Sequence, residues 1–170
     1  LDYHETFEAY FDAKAGLFDR ILPDDGTAVL NIDDAKLAEF ARALNERGVK
    51  TVTLGRDEGA DLRLETARFD GMGQDVRFSF QGKTYQKRLS LIGGFQASNV
   101  LMAALLVIAA GETPSHVFDT LEHLETVRGR MQFAAKRGNG ASVFVDYAHT
   151  PDAVKTALQA FRPHVMGRMI

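Results

Sequence analysis

The sequence has 170 residues, of which 45% are hydrophobic and 25% are charged, and its formal net charge at pH 7 is −3. A chain of this length forms one or two domains, and its slight negative charge gives no indication of nucleic-acid binding. Cysteine is absent, which excludes disulfides and thiolate metal sites and is compatible with a reducing cytoplasm.

The longest apolar run, residues 100–110, is too short to span a bilayer, and no signal-peptide pattern opens the chain. The sequence therefore predicts no membrane insertion. Because the chain begins without Met and stops where another strand would start, we interpret it as a fragment of a longer protein.

Helical and strand patterns alternate in the first part of the chain. The spacing of apolar residues predicts helices over residues 6–21 and 34–47, the second ending at Gly48, and strands over residues 28–32 and 49–54. This alternation is typical of an α/β protein with a mostly parallel sheet.

A different pattern follows, in which apolar and polar residues alternate over residues 62–68, 76–80 and 84–91. This period of two, with a turn at residues 81–83, predicts an antiparallel meander with one face in solvent.

Two helices are predicted next, over residues 95–110 and 115–124, with Ser115 as the cap of the second helix. Residues 128–130, Arg-Gly-Arg, are predicted to form a hinge between two domains.

Two strands are predicted after this hinge, over residues 131–135 and 141–145. The second strand ends in the apolar run Val-Phe-Val, which is typical of a strand buried on both faces.

Asp146 and His149 follow this last strand. They lie at its carboxyl end, which is where open α/β sheets bind ligands. Thr150 can cap the next helix, and Pro151 suits its first position. A helix N-terminus beside a carboxylate and an imidazole suits a nucleotide, with amides facing phosphate and Asp146 facing a ribose hydroxyl. The alternative is a capped turn whose polar residues only satisfy the backbone.

Residues 146–152, Asp-Tyr-Ala-His-Thr-Pro-Asp, with Gly-Arg-Met-Gln at residues 129–132, resemble the Mur ligases of peptidoglycan synthesis. The resemblance covers most of the chain and is greatest to the branch that adds the third amino acid. It implies that residues 1–127 are the later part of the central ATP-binding domain, an α/β domain with a mostly parallel P-loop-type sheet and a small antiparallel β subdomain. Residues 128–170 would be the hinge and the start of a Rossmann-like C-terminal domain.

The resemblance also implies a function. The family member would be a cytoplasmic enzyme that uses ATP and Mg²⁺ to join meso-diaminopimelate or L-lysine to UDP-N-acetylmuramoyl-L-alanyl-D-glutamate through an acyl phosphate. The P-loop and the segment that selects the amino acid do not occur in this sequence, so we expect the chain alone to be inactive. Two alternatives remain: a ligase similar to folylpolyglutamate synthetase, and a non-catalytic nucleotide-binding module on the same scaffold.

Lys14 lies within an apolar stripe at helical spacing, formed by Phe7, Tyr10, Phe11, Leu17, Phe18 and Ile21. A lysine there must extend to water, pair with an acid or lose its charge through desolvation. A neutral amine can react with carbon dioxide to form a carbamate, an oxygen ligand suited to magnesium. The resemblance matches Lys14 to the carbamylated lysine of the Mur ligases, and it implies that the carbamate positions Mg²⁺.

The resemblance further implies an ATP site. Asn99 would lie beside adenine, Asp146 beside the ribose, and Arg130 and His149 beside the phosphates. Each residue also has a simpler interpretation, because Asn99 could satisfy a helix start, Arg130 could be a solvated loop residue, and His149 could donate to a carbonyl.

Overall fold

The computed structural model describes residues 3–170. Seven strands are present in this part of the chain: β1 (Thr27–Asn31), β2 (Lys50–Gly55), β3 (Leu62–Asp70), β4 (Gly73–Phe80), β5 (Lys83–Leu89), β6 (Gln132–Lys136) and β7 (Ser142–Val145). The α-helices are α1 (Phe7–Gly16), α2 (Ala35–Glu46), α3 (Gly94–Ala109), α4 (Pro114–Thr120) and α5 (Pro151–Phe161). The first helix continues as a wider π-helical turn, Leu17–Ile21. None of the helices in the described residues is long and apolar enough to cross a membrane.

Strands β1 to β5 form one mixed sheet in the order of the sequence. β1, β2 and β3 are parallel, whereas β3, β4 and β5 are antiparallel. The predicted α/β fold is confirmed, and the antiparallel meander is a continuation of the parallel sheet. We call residues 3–127 the central region.

The main core of the central region lies between one face of this sheet and the helices α3 and α4. Phe78 and Phe118 are both fully buried, and their ring centroids are 4.9 Å apart. On β1, Val29 points into this core, whereas Ala28 and Leu30 pack with α2 in a smaller cluster on the other face. Burial of β1 on both faces explains its continuous apolar sequence.

Side chains that accept backbone N–H groups cap three helices, at Thr6, Asp34 and Thr150. The predicted cap at Ser115 is wrong, since α4 begins one residue earlier, at Pro114, with Thr113 in the cap position. Proline lacks an N–H and has a helical φ, so it fits the first helical position, and the helix starts one residue closer to the N-terminus than predicted.

Strands β6 and β7 form a separate antiparallel pair, which α5 follows. We call residues 129–170 the C-terminal region. The predicted burial of residues 143–145 on both faces is wrong, because Val143 is 39% exposed and Val145 is 48% exposed. Only Phe144 turns inward, to the ring of Phe161 on α5, with 4.6 Å between the centroids. In residues 3–170, β7 has one partner strand and one covering helix, so its other face meets solvent.

Candidate functional site

A cleft of about 750 Å³ lies between the start of α3 and the segments that flank β7. Its lining includes Asn99 from the central region and Arg130, Asp146 and His149 from the C-terminal region. The structure therefore brings together four of the five residues that the sequence predicted for a site. Lys14 lines a different cavity.

The predicted hinge is a tight turn that is bonded to the end of β7. Gly129 has a φ of +70°, a conformation that glycine adopts at little cost. The Gly129 N–H donates to Oε1 of Gln132 at 3.0 Å, and its carbonyl accepts the N–H of Tyr147 at 2.8 Å. These bonds fix the position of Arg130 relative to the residues that follow β7.

Asp146 is half-buried and accepts two backbone N–H groups. Its Oδ2 accepts from Met131 at 2.9 Å, and its Oδ1 accepts from Ala148 at 2.8 Å. The carboxylate therefore satisfies the local backbone, as the simpler interpretation of the sequence expected. Each carboxylate oxygen retains a second acceptor position, so Asp146 can also accept a hydrogen bond from a ligand hydroxyl.

His149 is exposed, and its Nδ1 lies 2.9 Å from the carbonyl oxygen of Tyr147. Because a carbonyl oxygen only accepts, Nδ1 carries the proton that makes this bond. The bond orients the ring and leaves Nε2 available to a ligand in the cleft.

The start of α5 offers fewer amides to a ligand than the sequence predicted. Pro151 has no N–H, and the N–H of Ala153 donates to the side chain of Thr150 at 3.3 Å. The carboxylate of Asp152 also lines the cleft and opposes the binding of an anion near this helix start. Positive charge comes instead from Arg130, which is exposed and makes no salt bridge within the described residues.

Phe95 and Tyr147 also line the cleft, and sequence reasoning missed both. Phe95 is 42% exposed and lies one helical turn before Asn99, so the two side chains share a face of α3. An aromatic ring beside an amide is suited to a flat heterocycle with polar edges. The spacing of four residues was the signal for Phe95, whereas Tyr147 gave no signal beyond its place in the Asp-Tyr-Ala-His run.

Lys14 is exposed at the edge of an apolar cavity of about 190 Å³. Its Nζ lies 5.6 Å from the centroid of the Tyr10 ring. Of the three alternatives for a lysine in the apolar stripe, the structure shows the first, because the side chain extends from the stripe into solvent. Residues 3–170 contain no group of three or more His, Asp or Glu side chains that could hold a metal ion, so they do not form a complete metal site by themselves.

The mixed sheet and a cleft formed by two regions define an α/β protein with a ligand site between a helix start and a strand end. Comparison with protein families identifies the class more closely. Residues 1–107 match the Mur ligase middle domain, and residues 129–170 match the Mur ligase, glutamate ligase domain. The chain belongs to the Mur ligases, and the resemblance found in the sequence is confirmed.

Two curated relatives that match the chain carry the same enzyme name. The chain is 44% identical over 167 residues to the UDP-N-acetylmuramoyl-L-alanyl-D-glutamate--2,6-diaminopimelate ligase of Zymomonas mobilis subsp. mobilis, covering 98% of this chain and 34% of the relative. It is 44% identical over 170 residues to the ligase of that name from Caulobacter vibrioides, covering 100% and 35%. The chain spans about a third of the length of these relatives.

Solved structures agree with this assignment. A UDP-N-acetylmuramoyl-L-alanyl-D-glutamate--2,6-diaminopimelate ligase superposes with a TM-score of 0.77 at 30% identity, over 96% of this chain and 33% of that chain. A MurF ligase from Thermotoga maritima, solved in complex with ADP, superposes with a TM-score of 0.73 at 25% identity, over 91% and 34%. Folylpolyglutamate synthetase from Lactobacillus casei has a TM-score of 0.72 at 19% identity, over 96% and 41%, and shares the fold alone.

Proposed function

We propose that this chain is a segment of an ATP-dependent ligase that joins meso-diaminopimelate to UDP-N-acetylmuramoyl-L-alanyl-D-glutamate in peptidoglycan synthesis. The observation that carries the proposal is the cleft, to which both family-matched regions contribute polar side chains. The names of the relatives support the substrates. The longer protein would be cytoplasmic, with residues 1–127 in its central domain and residues 128–170 at the start of its C-terminal domain.

ATP is the proposed ligand of the cleft. Adenine would lie against Phe95 with its polar edge toward the Asn99 amide, and the ribose would donate a hydroxyl hydrogen bond to Asp146. The phosphates would extend toward Arg130 and His149. The cleft volume of about 750 Å³ is within the range of pockets that hold molecules of this size.

Lys14 is the proposed attachment point for a carbamate that holds Mg²⁺. The support is its place in the family pattern, where Lys14 matches the carbamylated lysine of the Mur ligases. A bound Mg²⁺ supplies positive charge that offsets the charge on the transferring phosphoryl group. Further ligands would have to come from the substrates or from other parts of the longer protein, because the described residues supply no cluster.

The proposed reaction has two steps. The terminal carboxylate of the UDP-linked dipeptide attacks the γ-phosphorus of ATP, which breaks the bond to ADP and forms an acyl phosphate. The amine of the incoming amino acid then attacks the acyl carbon, forms the amide bond and releases phosphate. Arg130 and His149 Nε2 would stabilise phosphate charge in the first step, and closure about residues 128–130 would exclude water that hydrolyses the acyl phosphate.

The test is phosphate release from ATP by the full-length ligase with UDP-N-acetylmuramoyl-L-alanyl-D-glutamate. Three reactions are compared, with diaminopimelate, with L-lysine and without an amino acid. We expect release that depends on diaminopimelate. Dependence on L-lysine would correct the amino acid, and release only with a folate and glutamate would support the folylpolyglutamate alternative. Nucleotide binding without any turnover would support the non-catalytic module.

A further inference from the structure

His164 is a buried histidine outside the cleft, and the proposed function gives it no role. Only 6% of its surface is exposed. It ends the short helical turn Arg162–His164 that follows α5, so it belongs to the C-terminal region. Its contacts are in the central region, 71 and 94 residues away along the sequence.

Both ring nitrogens of His164 bond to the backbone of the central region. Nε2 accepts the N–H of Gly93 at 2.9 Å, and Nδ1 lies 2.7 Å from the carbonyl oxygen of Asp70. Since Nε2 accepts and Nδ1 donates, these bonds require a neutral ring with its proton on Nδ1. The Phe69 ring packs edge-on against the imidazole at 4.9 Å. The carboxylate of Asp70, the residue that supplies this carbonyl, pairs with Arg88 at 2.8 Å.

Gly93 is the residue that places the start of α3. Its φ is +103°, and a Cβ there would lie 2.9 Å from the Phe95 ring, so only glycine fits. Its carbonyl accepts the side-chain amide of the fully buried Gln74 at 2.9 Å and the N–H of Gln96 at 3.0 Å. His164 accepts the hydrogen bond from the N–H of the same residue. We call residues 91–94 the Gly93 turn.

The side chains that follow this turn reach the cleft. Phe95, Gln96 and Asn99 all line it, and they lie on the first two turns of α3. A shift of the Gly93 turn would therefore move the side of the cleft that the central region supplies.

The helical turn that carries His164 is linked to the opposite side of the cleft. The Phe161 ring lies 6.4 Å from the imidazole and 4.6 Å from Phe144, and Phe144 lies 5.5 Å from Phe133. These rings pack α5 on the hairpin of β6 and β7, and β7 ends at Asp146. Through these rings, His164 is connected to β7, the strand that positions Asp146 for the proposed contact with the ribose.

We propose that His164 is a positioning residue that docks the C-terminal region on the Gly93 turn and so sets the width of the nucleotide cleft. The link to ATP rests on the proposed function, whereas the docking contact does not. Without the imidazole, the buried Gly93 N–H loses its acceptor and the two sides of the cleft lose a fixed spacing. In the proposed function, ATP contacts both sides of the cleft. High ATP concentrations would therefore favour the arrangement in which the two sides are held at the spacing that binds ATP.

The kinetic test compares two substitutions in the full-length ligase. His164→Phe keeps an aromatic ring and removes both hydrogen bonds, whereas His164→Gln keeps one acceptor and one donor. We expect His164→Phe to raise KM for ATP about tenfold, with kcat and KM for the UDP-linked dipeptide little changed. His164→Gln should lie close to wild type. His116→Phe, at an exposed histidine on α4, is the matched control and should have no effect.

Three outcomes would overturn the positioning role: an unchanged KM for ATP in His164→Phe, an equal loss in all kinetic constants, or no rescue by glutamine. An equal loss is the result expected of a residue that only stabilises the fold.

A second measurement does not depend on catalysis. Hydrogen exchange of the peptide that contains Gly93 is followed in wild type and in both variants, without nucleotide. Exchange of the Gly93 amide should be faster in His164→Phe and near the wild-type rate in His164→Gln. Unchanged exchange in His164→Phe would overturn the docking contact even if the wild type is an active ligase. A wild type without ligase activity would contradict the proposed function and leave the exchange test valid.

Discussion

The central and C-terminal regions both line the cleft, but they differ in how much apolar surface they bury. In the central region, α3 and α4 cover one face of a five-stranded sheet and α2 packs on the other, and Phe78, Phe118 and Leu101 are fully buried. In the C-terminal region, two strands and one helix leave Val143, Val145 and Leu158 exposed. The first region provides a rigid base for one side of the cleft. The second depends on docking contacts for its position, which is why a buried histidine between the regions matters.

The largest expected effect of a substitution is on catalysis, at Lys14 in the central region. Lys14→Ala in the full-length ligase should abolish ligation and leave the fold intact, because the exposed side chain contributes little to packing. Short carboxylates added to the assay should restore part of the activity by replacing the carbamate. Lys36→Ala is the matched control, since Lys36 lines the same cavity and also lies over aromatic rings. Near-normal activity in Lys14→Ala would contradict the carbamate proposal.

Stability should differ next. Phe118→Ala removes a fully buried ring that contacts Phe78 and Tyr85, and should lower the free energy of unfolding by about 3–5 kcal/mol. Phe144→Ala removes a half-buried ring from the other region and should cost about 1–2 kcal/mol. Urea denaturation of both variants measures the two values. Equal losses would show that the C-terminal region is packed as tightly as the central one.

Nucleotide affinity gives a smaller effect. Asp146→Ala should raise KM for ATP about tenfold and change KM for the UDP-linked dipeptide much less, because in the proposed binding mode the lost acceptor would face the ribose. Steady-state kinetics with each substrate varied in turn measures the ratio. If KM for ATP does not change, Asp146 serves only the Met131 and Ala148 amides, as the simpler interpretation holds.

The smallest effect concerns the ion pair beside the docking contact. The hydrogen bond from Arg88 lowers the pKa of Asp70 from 3.8 to about 2. A lowered folded-state pKa stabilises the fold above the ordinary carboxyl pKa, and this contribution is lost as pH falls from about 4 to about 2. Asp70→Asn should therefore lower stability by less than about 1 kcal/mol at pH 6, because both side chains are partly exposed, and the deficit should shrink toward pH 2 and vanish below it.

Thermal unfolding of Asp70→Asn at several pH values measures this deficit. Asp24→Asn, at an exposed carboxylate, is the control and should show no deficit. A deficit that stays constant between pH 6 and pH 2 would contradict the assignment to the Asp70 charge.

Local features of the fold were predictable from the sequence. The cap at Thr150 and the meander follow from short patterns, because their hydrogen bonds join residues close in the chain. The prediction that residues 143–145 are buried on both faces was wrong, since burial depends on which elements cover β7. The contacts of His164 were also beyond local patterns. Gly93 and His164 are 71 residues apart, and no sequence spacing connects them.

The most direct test of the cleft is a crystal structure of the full-length ligase with ADP. We expect adenine beside Asn99, the ribose within hydrogen-bond distance of Asp146, and phosphates toward Arg130 and His149. Gly93 N–H should remain bonded to His164. A nucleotide bound outside the cleft, or in contact with only one of the two regions, would contradict the proposed ATP site.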